Sequence, residues 1–293
     1  MRRILALLIL LAAIGFGIFW LVTAPKTVDA AQIDALAAQP VDMAAAEQIF
    51  HAGGCAACHA AQDGTMSGGM AFDSPFGTFY APNITPSAAG IEGWSAYDLA
   101  NAMQRGTAPD GAHYYPAFPY ASYIKADPAD IVALHGYLQN LAPSDTPSKA
   151  HDVGFPFNIR RSLGGWKFLF LNDDWVIDGD DLTPQEMRGR YLAEALNHCA
   201  ECHTPRNALG AMDRSRWMGG APNPSGEGNV PNITPAALDW SADDIAEYLS
   251  SGFTPEFDSV GGHMAAVVEE TAQMSAEDRA AIAAYIKRLP PVE

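Results

Sequence analysis

Basic residues are scarce in this chain, and cysteine is scarcer still. Among its 293 residues, 17 lysines and arginines stand against 34 aspartates and glutamates, for a formal net charge of −17. A surface of this kind repels a phosphate backbone, so nucleic acid is not expected as a partner. It suits basic partners at low salt. The four cysteines all fall within two short motifs, which leaves none for a structural disulfide.

Both motifs are C-x-x-C-H sequences, which are typical of covalent haem c attachment. Two thiols one helical turn apart can add to the two vinyl groups of a porphyrin, and the adjacent histidine reaches the iron. The predicted attachment residues are Cys55, Cys58, Cys199 and Cys202. The predicted proximal iron ligands are His59 and His203. A zinc site would need further Cys or His pairs at ligand spacing, so two haem c groups are the predicted cofactors.

Residues 1–23 are predicted to form a transmembrane anchor. Ile4 to Val22 is a run of 19 residues without charge, and as a helix it would span about 28 Å, close to the thickness of a bilayer core. Arg2 and Arg3 would keep the amino end in the cytoplasm, and Trp20 would lie in the interfacial belt. A cleaved signal sequence is the alternative, although its apolar core is usually shorter. Either way the remainder is expected to be exported.

An internal repeat organises the rest of the chain. The recurring features, in the same order and at nearly the same spacing, are the C-x-x-C-H motif, Asn83-Ile84-Thr85-Pro86 with Asn232-Ile233-Thr234-Pro235, Trp94-Ser95 with Trp240-Ser241, and Gly106 with Gly252. The repeat predicts two copies of one domain, residues 41–142 and 185–293. Residues 24–40 are predicted to be a tether. Residues 143–184 are too apolar for a free linker and are predicted to pack against the domains.

Each copy is predicted to contain three helices. The first leads into the C-x-x-C-H motif; the second has an S-x-x-D start at Ser95 or Ser241 and a glycine stop. The third begins at Asp127-Pro128 in one copy and at Ser275 in the other. No convincing alternation typical of strands is present. The predicted fold class is therefore all-α.

With these residues in hand, the chain resembles the multihaem cytochrome c subunits of bacterial membrane-bound alcohol, aldehyde and gluconate dehydrogenases. The strings that carry the resemblance are Tyr80-Ala81-Pro82-Asn83-Ile84-Thr85-Pro86, Tyr115-Pro116-Ala117-Phe118-Pro119-Tyr120 and Cys202-His203-Thr204-Pro205-Arg206-Asn207. The resemblance implies two tandem class I cytochrome c domains on the periplasmic side of the inner membrane. Those subunits usually carry three haems, whereas this chain has two C-x-x-C-H motifs.

The distal iron ligands differ between the two copies. The family places its distal methionine before the last helix, where this chain has Met264, with His263 as the alternative. Met264 lies 12 residues after Gly252, but the residue 12 after Gly106 is Phe118, which cannot bind iron. For the first haem we therefore expect His113, a methionine recruited from elsewhere, or an open iron. The methionines considered are Met66, Met70 and Met103.

Two functions follow from these features. The first is a dihaem electron carrier that moves single electrons between a periplasmic donor, such as a dehydrogenase or respiratory complex, and an acceptor. The second is a haem enzyme that reacts with a small molecule at an open first haem. The sequence contains no nucleotide-binding glycine loop and no nucleophile motif, so no catalytic residue is assigned outside the haems.

Overall fold

The computed structural model describes residues 1–223 and 228–293 of a mostly helical chain. Two short antiparallel hairpins interrupt the helices, β1 (Ala71–Ser74) with β2 (Gly77–Tyr80), and β3 (Gly219–Pro222) with β4 (Asn229–Asn232). The sequence analysis missed both hairpins, because strands of four residues are too short to display an alternating pattern. Each hairpin follows a C-x-x-C-H motif, so the hairpins belong to the repeat.

The two repeat units contain matching helices. In the first unit these are α3 (Met43–Ala52), α4 (Cys55–His59), α5 (Ala96–Ala100) with a π-helical continuation (Asn101–Arg105), α6 (Tyr120–Tyr123) and α7 (Pro128–Leu138). In the second they are α9 (Pro184–Tyr191) with a π-helical continuation (Leu192–Leu196), α10 (Ala200–His203), a 3₁₀ turn (Arg214–Arg216), α11 (Ala242–Ser251), α12 (His263–Thr271) and α13 (Ala276–Ile286).

The predicted helix boundaries are confirmed where capping chemistry sets them. Ser95 and Ser241 each form a reciprocal capping box with the acid three residues on, and Asp127 caps α7, whose first residue is Pro128. Gly106 and Gly252 end the middle helices in the left-handed conformation. Side-chain acceptors satisfy backbone N–H groups that a helix start otherwise leaves unpaired, so these local signals are readable from sequence.

In each unit the first and last helices pack across one another. In the first unit, α3 meets α7, and the rings of Phe50 and Tyr137 are 5.0 Å apart. In the second, α9 meets α13 at Gly189, where a Cβ atom would lie 1.8 Å from the carbonyl oxygen of Ala281. Only glycine permits this approach. In each unit this helix pair supports the C-x-x-C-H helix.

A tether was predicted between the anchor and the first unit, but these residues are not free. Residues 30–37 form a helix, α2 (Ala30–Ala37), which packs against α5 and α7. Ile33 is only 1% exposed, and the backbone N–H of Val28 donates to the Asn101 side chain over 2.8 Å. Val28 and Leu36, partly buried against the same core, help Ile33 to attach this alanine-rich segment. The first unit therefore follows closely on α1 (Arg2–Val22).

The segment between the units is structured, as predicted, but only partly covered. It contains α8 (Ser162–Phe170) and a 3₁₀ turn (Gly179–Asp181). Helix α8 packs against the end of α1, and the Lys167 ammonium group donates to the carbonyl oxygens of Arg105 and Gly106. Several of the segment's large apolar side chains nevertheless remain exposed.

A buried ion pair joins the two units. The Lys125 ammonium group lies 2.7 Å from the Glu194 carboxylate, with exposed side-chain fractions of 2% and 0%. The hydroxyl of Tyr285 donates to the same carboxylate. Burial lowers the pKa of Lys125, while the Glu194 charge acts in the opposite sense. Because neither charged group is exposed to water, each needs the other as its counter-charge.

We predict that Glu194→Gln destabilises the protein by about 3–5 kcal/mol, because it leaves the Lys125 charge buried without a counter-charge. The matched control is Asp278→Asn, which breaks the exposed pair with Arg188 and should cost less than about 1 kcal/mol. Thermal unfolding of both variants measures the difference. Equal losses of stability would contradict the role assigned to burial.

Candidate haem sites

Each C-x-x-C-H motif lies on one turn of helix. Cys55 to His59 form α4, and Cys199 precedes α10 as its N-cap, so the thiols of each pair stand about one turn apart. Burial raises the pKa of the Cys55 and Cys199 thiols to about 12. None of the four cysteines forms a disulfide. The arrangement is the one that addition of two thiols to one porphyrin requires.

The proximal histidines are fixed by the same hydrogen bond in both units. His59 Nδ1 lies 2.7 Å from the carbonyl oxygen of Pro82, and His203 Nδ1 lies 2.8 Å from that of Pro231. A carbonyl only accepts, so Nδ1 carries the proton and Nε2 keeps its lone pair for a metal. Burial lowers the pKa of both histidines, which favours the neutral ring that an iron ligand needs.

The hairpins position these acceptors. Pro82 lies two residues after the end of β2, and Pro231 lies within β4. The repeated Asn-Ile-Thr string then secures the chain, since the Asn83 side-chain oxygen accepts from the Thr85 N–H over 2.8 Å, and Asn232 does the same for Thr234. The N-I-T-P motif is thus a support for the proximal histidine.

The loops that lead to the distal side have the same geometry in the two units. The Gly106 carbonyl accepts from the N–H of Tyr114, and the Gly252 carbonyl accepts from the N–H of Val260, each over 2.7 Å. Phe118 and Met264 follow four residues after these donors. The backbone therefore supports the register that pairs Phe118 with Met264.

Met264 lies on the second residue of α12, a helix where the sequence analysis expected a loop. It is half-buried and packs against the core, whereas its neighbour His263 is exposed. Of the two candidate ligands, Met264 is the one directed into the protein. Helix α12 also packs against α3 and α4 of the first unit.

The structure gives His113, a predicted ligand of the first iron, other partners. His113 is buried, and both ring nitrogens have partners: Nε2 lies 2.9 Å from the carbonyl oxygen of Thr23, and Nδ1 lies 3.0 Å from Lys167 Nζ. An iron ligand needs a free ring nitrogen. The residue instead ties the first unit to the end of α1 and to α8, contacts between distant segments that no local pattern encodes.

Phe118 occupies the position that Met264 holds in the second unit. Its ring packs against those of Tyr114 and Tyr123, with centroids 5.8 and 5.7 Å away. Of the methionines considered for this haem, Met103 is buried in the core, and Met66 and Met70 are half-buried. Arg160 and Arg161, in the segment between the units, donate to the carbonyl oxygens of His113 and Trp20.

Two buried polar groups fit a large ligand with acceptor groups. The Tyr120 hydroxyl and the Trp217 indole N–H have no hydrogen-bond partner among residues 1–223 and 228–293. Both side chains are almost fully buried, where an unpaired donor is costly. Together with the free Nε2 atoms and the paired thiols, they are compatible with bound porphyrin and its carboxylates.

The two C-x-x-C-H motifs lie at the interface between the units. Glu201, within the second motif, accepts from the Ser122 hydroxyl of the first unit over 3.2 Å. His198, next to Cys199, reaches the first unit, where its ring interacts with the Gly53 backbone and lies 5.5 Å from the ring of Tyr123. The Tyr123 hydroxyl in turn donates to the Gly53 carbonyl. The sequence analysis gave His198 no role.

Comparison with known proteins agrees with this architecture. The model of the cytochrome c family matches residues 43–142 and 187–290, which together make up most of the chain. The chain belongs to the cytochrome c family. Its relatives confirm the resemblance to cytochrome subunits of alcohol, fructose and gluconate dehydrogenases.

Among the relatives, a diheme cytochrome c-type protein of Cereibacter sphaeroides is 56% identical over 254 residues, covering 84% of this chain and 86% of that protein. The fructose dehydrogenase cytochrome subunit of Gluconobacter japonicus is 38% identical, covering 80% and 50% respectively. The quinone alcohol dehydrogenase cytochrome c subunit of Gluconobacter oxydans is 33% identical, covering 84% and 54%. The chain thus spans about half the length of the dehydrogenase subunits. It carries two covalently bound haem c groups.

His198 adopts a left-handed backbone conformation, with φ of 43°, and Gly54 holds the same place in the first unit with φ of 59°. A side chain there costs roughly 1 kcal/mol, which the contacts of His198 offset. We therefore predict that His198→Gly is more stable than His198→Ala by about 1 kcal/mol, the reverse of the usual order. Thermal unfolding of the two holoproteins measures this. If His198→Gly were less stable than His198→Ala, the backbone at position 198 would not be strained.

Proposed function

We propose that this chain is an electron carrier, in which two tandem cytochrome c domains, residues 41–142 and 185–293, pass single electrons between a donor and an acceptor. The observation that carries the proposal is the contact between the two units beside their C-x-x-C-H motifs. The Ser122 hydroxyl of the first unit donates to Glu201, within the second motif, over 3.2 Å, and the His198 ring lies 5.5 Å from that of Tyr123. Two haems held at one interface suit electron transfer between them. No catalytic residue is assigned.

In this proposal the protein sets the geometry and the potentials of the haems. Bound haem supplies a one-electron iron couple. The thiols of Cys55, Cys58, Cys199 and Cys202 hold the two groups covalently. His59 and His203 bind iron through Nε2, because the proline carbonyls keep their protons on Nδ1. Met264 supplies a thioether to the second iron, a ligand that raises the haem potential.

We further propose that the haem domains face the periplasm on a retained membrane anchor. Helix α1 is 21 residues long, contains an 18-residue stretch with a mean hydropathy of 2.8 and buries none of its residues in the protein. Length and composition alone also fit a signal sequence. What favours an anchor is the contact of α1 with α8 and the burial of Thr23, which follows it.

A dehydrogenase is the proposed electron donor. Relatives in Gluconobacter are named as cytochrome subunits of fructose and alcohol dehydrogenases. The net charge of −17 would steer basic surfaces of a donor or acceptor toward the chain. The acceptor is proposed to be a component of the respiratory chain.

The ligand assignment of the second haem predicts a specific change in Met264→Ala. We expect loss of the methionine–iron charge-transfer band at the red end of the ferric spectrum. In a potentiometric titration, one of the two one-electron steps should move to lower potential by on the order of 100 mV. His263→Ala, which alters the exposed neighbour, is the control and should change neither. Survival of the band in Met264→Ala would rule out this ligand.

A second candidate function is a haem enzyme that uses an open first iron. The observations that favour it are the engagement of both His113 ring nitrogens and the presence of Phe118 where the second unit has Met264. An iron with one free position can bind a small molecule such as peroxide. The second haem would then supply electrons to the first.

The substitution Phe118→Met tests this alternative. If the first iron is open, the added thioether should convert a high-spin ferric signal to a low-spin one and raise the potential of that haem. Phe118→Leu controls for the loss of the aromatic ring and should leave the spin state unchanged. Electron paramagnetic resonance of the ferric proteins reports both. Two low-spin haems in the unmodified protein would exclude the enzyme.

A further inference from the structure

Residues 153–172, here called the interdomain belt, expose an unusual amount of apolar surface. Phe155 is 80% exposed, and Phe168 and Leu169 are 64% each; Phe157 and Ile159 are also exposed. Side chains of this size seldom stay in water next to one another unless something covers them. The belt therefore has an apolar face without a partner in the described part of this chain.

The belt lies where α1 ends. Helix α8, within the belt, packs on the last turn of α1 so closely that a Cβ atom on Gly164 would lie 2.4 Å from the carbonyl oxygen of Thr23. The Arg161 guanidinium lies 4.1 Å from the centre of the Trp20 ring and donates to the Thr23 hydroxyl over 2.8 Å. A bilayer that surrounds α1 must have its headgroup layer at this level.

The charge of the belt is opposite to that of the chain. It contains Arg160, Arg161 and Lys167 but no aspartate or glutamate, in a protein of net charge −17. Among the described residues these three groups form no ion pair, and they donate to backbone carbonyls instead. Arginines remain charged at any physiological pH, whereas burial lowers the pKa of Lys167 to about 7. Arg160 and Arg161 therefore place positive charge beside the apolar face of the belt, and no carboxylate among the described residues pairs with it.

Both repeat units are attached to the belt. The Trp166 indole N–H donates to the carbonyl oxygen of Leu209, an exposed residue of the second unit, over 2.9 Å. In the first unit, the ring of Phe76 at the hairpin tip lies 5.0 Å from that of Phe157. A surface bound to the belt would therefore orient both haem domains.

We propose that the interdomain belt inserts its apolar side chains into the headgroup region of the bilayer and so forms a second membrane contact beside α1. The partner is a phospholipid surface with anionic headgroups. Aromatic and aliphatic side chains flanked by arginines are the composition of interfacial segments, and the belt is continuous with the end of the transmembrane helix. The proposal rests on the proposed function in one respect, namely that α1 is retained.

The test uses the full-length holoprotein in nanodiscs that contain phosphatidylglycerol. All four natural cysteines carry haem, so a cysteine introduced by Phe168→Cys or by Phe257→Cys is the one free thiol. Phe257 is 86% exposed on the second unit and serves as the aqueous reference. We expect a membrane-impermeant maleimide to react roughly tenfold more slowly at position 168, after normalisation to the unfolded proteins. Equal rates at the two positions would overturn the proposal, because the bilayer would then not cover the belt. A belt that is covered by a protein instead of lipid would also give equal rates in these nanodiscs.

Two glycines provide a matched control within the belt. Gly164→Ala forces α8 away from Thr23, whereas a Cβ atom on Gly165 would lie 3.9 Å from the Thr23 side chain, an ordinary contact. Added to Phe168→Cys, Gly164→Ala should restore fast labelling and Gly165→Ala should not. The intact mass of the membrane-extracted protein shows separately whether residues 1–23 are present. The absence of residues 1–23 would refute the anchor. Equally fast labelling in both glycine variants would refute the role of the contact between α8 and Thr23.

Discussion

The hydrogen bond from each proximal histidine to a proline carbonyl is the contact around which both haem sites are built. It sets the tautomer of His59 and His203 and leaves Nε2 free. To present that carbonyl, the chain forms a hairpin after each C-x-x-C-H motif and secures the following residues with the side chains of Asn83 and Asn232. Two of the four repeated features, the C-x-x-C-H motif and the Asn-Ile-Thr-Pro string, are therefore parts of one device for holding a histidine ring.

The two copies of this device have diverged where they face each other. Gly54 in the first unit corresponds to His198, whose ring crosses to the first unit. Phe50, which packs on Tyr137, corresponds to Glu194, which pairs with Lys125. These contacts between unlike residues help to hold the two units together.

Local chemistry explains which features could be predicted from sequence. The haem motifs, the capped helices at Ser95 and Ser241 and the apolar helix α1 are encoded in contiguous residues. The hairpins were missed because each strand has only four residues. The packing of α2 and the partners of His113 depend on residues far away in the chain, and no spacing rule reports such contacts.

The same distant contacts decide how electrons would reach the haems. A chain on a free tether would sample many orientations, and each haem edge would face a partner only part of the time. Here residues 24–40 pack on the first unit, Thr23 is buried beneath His113 and Arg161, and Lys125 locks the second unit to the first. Restricting rotation in this way lowers the entropy that docking must remove. With the proposed anchor retained, such a fixed orientation would favour exchange with partners that lie in or on the same bilayer over partners that diffuse freely.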